Sequence, residues 1–186
     1  MNKYYETLLQ HSIRNENFVK SELAQLDMQA LSWRESLKKW SVIEVLDHLN
    51  KVYTLYFPNF EKALNQAPPL SEGENIIQQR TLLARLSIYS QKPKGSKRRF
   101  KMKTFDFFQP ANDPGKTSET IHSFLEKKNQ FNELIKKADT KNLKNIKMPT
   151  ALGDKMKFYV PECFEFILAH EDRHIVQIQE ILKKAR

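Results

Sequence analysis

Apolar residues recur at three- and four-residue intervals through most of this chain, and that periodicity leaves few architectures open. Only four glycines occur in 186 residues, and no long stretch alternates polar and apolar as a half-buried strand does. Five helical segments can be read. The first runs from about Lys3 to Asp27, with Tyr4, Leu8, Leu9, Ile13, Phe18, Val19, Leu23 and Leu26 as its apolar positions. The second opens at Ser41, where Ser41 and Glu44 have the spacing of a capping box. Val45, Leu46, Leu49, Val52, Tyr53 and Tyr56 form its buried stripe, and Pro58 is placed to kink it before Asn65.

Pro68 and Pro69 end that element, and Ser71 to Glu74 repeats the capping pattern ahead of a third segment over 74–90. Its apolar side is Ile77, Leu82, Leu83, Leu86 and Tyr89. A fourth helix over 117–138 carries Ile121, Phe124, Leu125, Phe131, Leu134 and Ile135. Residues 140–158 read as a connection with a turn at Leu152-Gly153-Asp154, and a last helix starts at Pro161, a residue suited to a first helical turn. Stripes of this length must bury one another. The economical result is an all-α four-helix bundle with one additional helical segment and a long basic and aromatic connection, all in one domain over 1–186.

Composition narrows the function classes. Hydrophobic residues make up 40% of the chain, ordinary for a globular domain, and no apolar run reaches the roughly 18 residues of a membrane span. The first residues lack the apolar core of a secretory signal, and Cys163 is the single cysteine, so a reducing cytoplasm is the simplest expectation. The net charge of +9 is concentrated in KPKGSKRRFKMK at 92–103, with seven basic residues and no acid. That run reads first as a solvated connection, and otherwise as a rim, through Lys97, Arg98 and Arg99, that attracts an anionic substrate. No nucleic-acid-binding motif accompanies it, which argues against a nucleic-acid partner.

The chemistry rests on histidine. His170 and His174 stand four residues apart on the stripe formed by Cys163, Phe166, Ile167, Ile178 and Ile181, so both rings leave the same apolar side of the last helix. A buried imidazole needs a partner for each nitrogen, and two in one small volume can share a cation. His48, on the inner part of the second helix, supplies a third ligand of the kind found in reactive rather than closed divalent-metal sites. His11 and His122 read as surface residues. Glu44 reads as the capping partner of Ser41, with a base near the metal or an orienter of His48 as the alternative. Asp47, Glu171 and Asp172 read as surface or salt-bridge residues, Gln177 as lining the histidine face, and Cys163 as a core residue or a thiol at the pocket floor.

Two blocks carry a family resemblance. KWSVIEVLDHL at 39–49 is similar to the W-S-x-x-E-x-x-x-H-L entry of the DinB superfamily, which includes YfiT-like proteins and the bacillithiol and mycothiol transferases. LAHEDRHIVQI at 168–178 is similar to that family's terminal H-x-x-x-H-x-x-Q-I segment. The resemblance implies a four-helix bundle, often a homodimer, with zinc, nickel or a similar divalent ion on His48, His170 and His174. It also implies a small-molecule substrate and metal-dependent chemistry of the thiol S-transferase or hydrolase type, with a low-molecular-weight thiol as one potential co-substrate. A non-catalytic, metal-stabilised binding or stress-response module is the alternative.

Overall fold

A computed structural model describes residues 1–71, 80–100, 104–111 and 117–185. Helix α1 spans Lys3–Phe18 and passes directly into a single π-helical turn, Val19–Leu23. The short α2 covers Met28–Ser32, α3 Val42–Gln66, α4 Leu82–Gln91, α5 Thr117–Ala138 and α6 Val160–Ala185. Between α5 and α6 lies an antiparallel hairpin of β1, Lys147–Thr150, and β2, Gly153–Tyr159. Among the described residues no helix is long and apolar enough to cross a membrane.

Helices α1, α3, α5 and α6 make the bundle. α1 packs on α5 and α6, and α3 packs on the same two, so α1 faces α3 across the diagonal. The stripes read from the sequence meet in the middle: Val45, Leu46, Leu49, Tyr53 and Tyr56 of α3, Phe131 and Ile135 of α5, and Cys163, Ile167 and Ile178 of α6 are all buried. Phe60 and Phe164 stack with ring centroids 4.3 Å apart and Phe131 packs against both, joining α3, α5 and α6.

The start of α3 is set by the capping box expected at Ser41. The Ser41 hydroxyl accepts from Glu44 N at 3.4 Å, and the Glu44 carboxylate accepts from Ser41 N at 2.8 Å. Pro58 lies within α3, which continues to Gln66. At the start of α6 a second carboxylate serves two elements. Glu162 accepts from Tyr159 N at 3.0 Å and from Thr81 N at 2.5 Å, while the Thr81 hydroxyl caps α4 by accepting from Ala84 N at 3.1 Å. This pins the first turn of α4 to the first turn of α6. A rise of about 1.5 Å per residue then carries the end of α4, at Gln91, level with His170.

Four expectations are corrected. The first helix does not reach Asp27; its α-helical part stops at Phe18, and the separate α2 follows. Ile13 is exposed, although it fits the periodicity. Leu82, Leu83, Leu86 and Tyr89 are exposed too, because α4 packs on α6 through Ala84, Ile88 and Gln91 instead. Ile77 and the Ser71–Glu74 capping pattern extend outside the described residues. Residues 140–158 hold a hairpin rather than a plain connection. Its strands are short and mostly exposed, with Met148 and Phe158 paired across them and turned to the core, so the alternation is too brief to stand out. The turn at Gly153 is where expected, with φ of +67°, a conformation glycine adopts without steric cost.

Candidate metal centre

Helices α3 and α6 are neighbours in the bundle, and their contact brings His48 within reach of the two histidines one turn apart on α6. The three side chains offer ligand nitrogens within 4.8 Å of one another, the one such cluster of three or more potential ligands among the described residues. His48 Nε2 lies 3.0 Å from His170 Nε2. Ring centroids are 4.6 Å apart for His48 and His174 and 4.5 Å apart for His170 and His174.

Each ring is fixed through its other nitrogen. His48 Nδ1 donates to the Phe108 carbonyl at 2.9 Å, His170 Nδ1 to Gln91 Oε1 at 3.1 Å, and His174 Nδ1 to Gln177 Oε1 at 3.0 Å. An acceptor at every Nδ1 sets the tautomer that leaves the Nε2 lone pair free. Flat neighbours hold the ring planes: Trp40 stacks near His174, and Phe166 lies over His170 at 6.1 Å and 11°. The 3₁₀ turn Asp106–Phe108 that supplies the carbonyl is held against α3. There Ala111 N donates to Asp47 at 2.8 Å and Lys51 donates to the Gln109 carbonyl at 2.5 Å.

Burial keeps these imidazoles neutral. Desolvation holds the pKa of His48 below the ordinary histidine value, opposed by its bond to Phe108. Desolvation, and then the neighbouring histidines, push His170 and His174 well below it. Neutral rings with both Nδ1 atoms donating leave two Nε2 lone pairs facing each other at 3.0 Å, an unfavourable contact that a shared cation relieves. The donor set therefore fits a divalent ion.

The cluster opens into a cavity of about 370 Å³, with Trp40, Phe105, Phe108 and Phe166 among its apolar walls. Gln177 lines it and holds His174. Arg98 lines it as well, with its guanidinium on Glu180 at 2.8 Å. Lys97 and Arg99 are outside the lining; Arg99 covers the Tyr89 ring at 4.1 Å, and Lys97 bridges to Lys94. Glu44 is also outside, occupied by Ser41 and by Arg34 Nε at 2.9 Å. Cys163 is fully buried among core residues, and burial pushes its thiol pKa far up. His122 is exposed, whereas His11 is half-buried and bonds Asp172 at 2.7 Å.

Glu171, read from the sequence as a surface or salt-bridge residue, does form a salt bridge but is buried, on another side of α6. There it pairs with Lys128 at 2.9 Å and accepts from Tyr53 and from Asn15. Sequence reasoning missed Gln91, Phe108, Trp40 and Arg173. The Phe108 contribution is a carbonyl, which any residue supplies, and Gln91 reaches His170 only through the tertiary placement of α4.

Comparison with known proteins follows the same lines. No curated protein sequence matches the chain. Its structure matches that of YfiT from Bacillus subtilis, described as a probable metal-dependent hydrolase with an unusual four-helix bundle topology. The TM-score is 0.60 at 14% identity, covering 99% of this chain and 89% of that one. The family model of the DinB superfamily matches residues 15–178, which include all three histidines, and the chain belongs to that superfamily.

Proposed function

We propose that this protein is a metal-dependent enzyme in which His48, His170 and His174 hold one divalent ion through Nε2, facing a small-molecule cavity. The observation that carries this reading is the oxygen beside every Nδ1, a backbone carbonyl for His48 and a Gln Oε1 for His170 and His174, which leaves the Nε2 side of the three clustered rings for a common ligand. A purely structural histidine cluster has no need of an open cavity beside it, and this one lines about 370 Å³. A bound divalent ion supplies Lewis acidity to an electrophile and makes a nucleophile available at neutral pH.

The chain's own residues do the rest. Trp40 and Phe166 restrict the imidazoles to one orientation, and the Phe108 carbonyl holds the proton on His48 Nδ1. Hydrolysis is the preferred reaction class, because water needs no binding site of its own and YfiT carries that description. Thiol S-transfer is the second reading, favoured by the cationic residues of the lining, which suit an acidic low-molecular-weight thiol as co-substrate. The homodimer implied by the family resemblance would cover the exposed Leu82, Leu83 and Leu86 of α4.

The test is turnover of activated esters, amides and thiol–electrophile pairs by metal-loaded protein, by chelated protein and by His170→Ala. Activity that needs the metal and disappears in the variant is expected. A metal-loaded protein inert on the whole panel, with a melting temperature that falls on chelation, would instead establish the metal-stabilised binding module.

A further inference from the structure

Next to His174 on α6, Arg173 is 5% exposed and lines the same cavity. Its Nη2 donates to the Phe100 carbonyl, while its Nη1 is buried and has no hydrogen-bond partner among the described residues. No described carboxylate lies within ion-pairing distance of it. Glu180, the acid nearest in electrostatic effect, is held by Arg98 through Nε at 3.1 Å and Nη2 at 2.8 Å. A guanidinium taken from water without a counter-ion is strongly unfavourable, so a residue left this way is built to receive an anion.

The surroundings agree. Lys38, Lys39 and Arg98 also line the cavity, and no Asp or Glu does among the described residues. The chain directly after Phe100 is Lys-Met-Lys, which adds no acid. The rings of Trp40, Phe105, Phe108 and Phe166 also line the cavity, and its volume suits a small molecule.

We infer that the cavity binds a small anionic ligand, a carboxylate or phosphate on an apolar body, whose anionic group is received by the Arg173 guanidinium beside the three histidines. This inference rests on the metal-enzyme reading, since it names the substrate class of that site. The guanidinium fork accepts planar or tetrahedral oxyanions equally, so the apolar body supplies the selectivity and the anion supplies the orientation.

Benzoate, phenyl phosphate and the neutral analogue benzamide are the probes, titrated calorimetrically into metal-loaded protein and into protein stripped by a chelator. Either anion is expected to bind at least about tenfold more tightly than benzamide in both forms, and Arg173→Met is expected to abolish that preference with its metal content unchanged. Arg173→Lys restores part of the preference, and Arg98→Ala weakens it less than Arg173→Met does. If Arg173→Met does not fold, the Arg173→Lys loss and the charge preference of the stripped wild-type protein decide. Equal binding of benzoate and benzamide overturns the inference, as does an Arg173→Met variant with wild-type preference. A preference that vanishes on stripping assigns the anion to the metal; it overturns Arg173 as the receptor and leaves the metal reading standing.

Discussion

At the scale of single residues, the proposed metal centre depends on groups other than its three histidines. Gln91 and Gln177 hold the Nδ1 protons of His170 and His174, and the Phe108 carbonyl holds that of His48. Gln91 is buried, so replacing it with leucine leaves the His170 N–H without an acceptor in an apolar place. Gln91→Leu is expected to keep its helical circular dichroism while losing about 10- to 100-fold in zinc affinity by chelator competition. The histidines were legible in the sequence because four-residue spacing on an apolar stripe is a local pattern. Gln177, three residues beyond His174, was legible in the same way; the other two partners were not, because Gln91 is far away in sequence and Phe108 contributes a backbone atom. Arg173 was overlooked for a different reason. A cation beside a histidine on a charged helix reads as solvent-facing, and only the packing of the 98–100 segment buries it.

At the scale of elements, two short-range devices decide where the site residues fall. Ser41 and Glu44 fix the first turn of α3, which places His48 two turns into the bundle. Glu162 ties α4 to α6 and so sets the height of Gln91. Ser41→Ala is expected to cost about 1 kcal/mol of stability in denaturant unfolding, with full metal content retained. That outcome assigns Glu44 to the cap; a loss of bound metal without loss of stability would return it to the centre. Capping boxes are readable because sequence spacing alone generates them. The hairpin of β1 and β2 was not readable, since only Met148, Thr150 and Phe158 of its paired residues are buried. The face of α4 was misread for a related reason: helical periodicity says which residues share a side but not which side is buried, and here Ala84, Ile88 and Gln91 rather than the leucines face α6.

At the scale of the whole molecule, the bundle carries two separate polar systems on different sides of α6. One is the histidine cluster facing α3 and the cavity. The other joins Glu171 to Lys128, Tyr53 and Asn15, with Lys128 also donating to Ser12 at 2.7 Å, and it links all four bundle helices. Burial and the adjacent Glu171 carboxylate push the Tyr53 phenol well above its usual pKa, so it remains a donor to that acid. Lys128 sits between Phe124 and Phe131 at helical spacing, so the apolar stripe of α5 already ran through a cation. A fully satisfied network of this kind fixes which helices are neighbours, and with them the α3–α6 contact on which the histidines depend. The central claim is that His48, His170 and His174 converge on one ion through Nε2. Anomalous diffraction at the absorption edge of the metal found by elemental analysis tests it directly, on crystals of protein purified without a histidine tag. The account predicts a single strong peak about 2.0–2.2 Å from the three Nε2 atoms; a peak elsewhere, or protein that takes up no divalent metal, would contradict it.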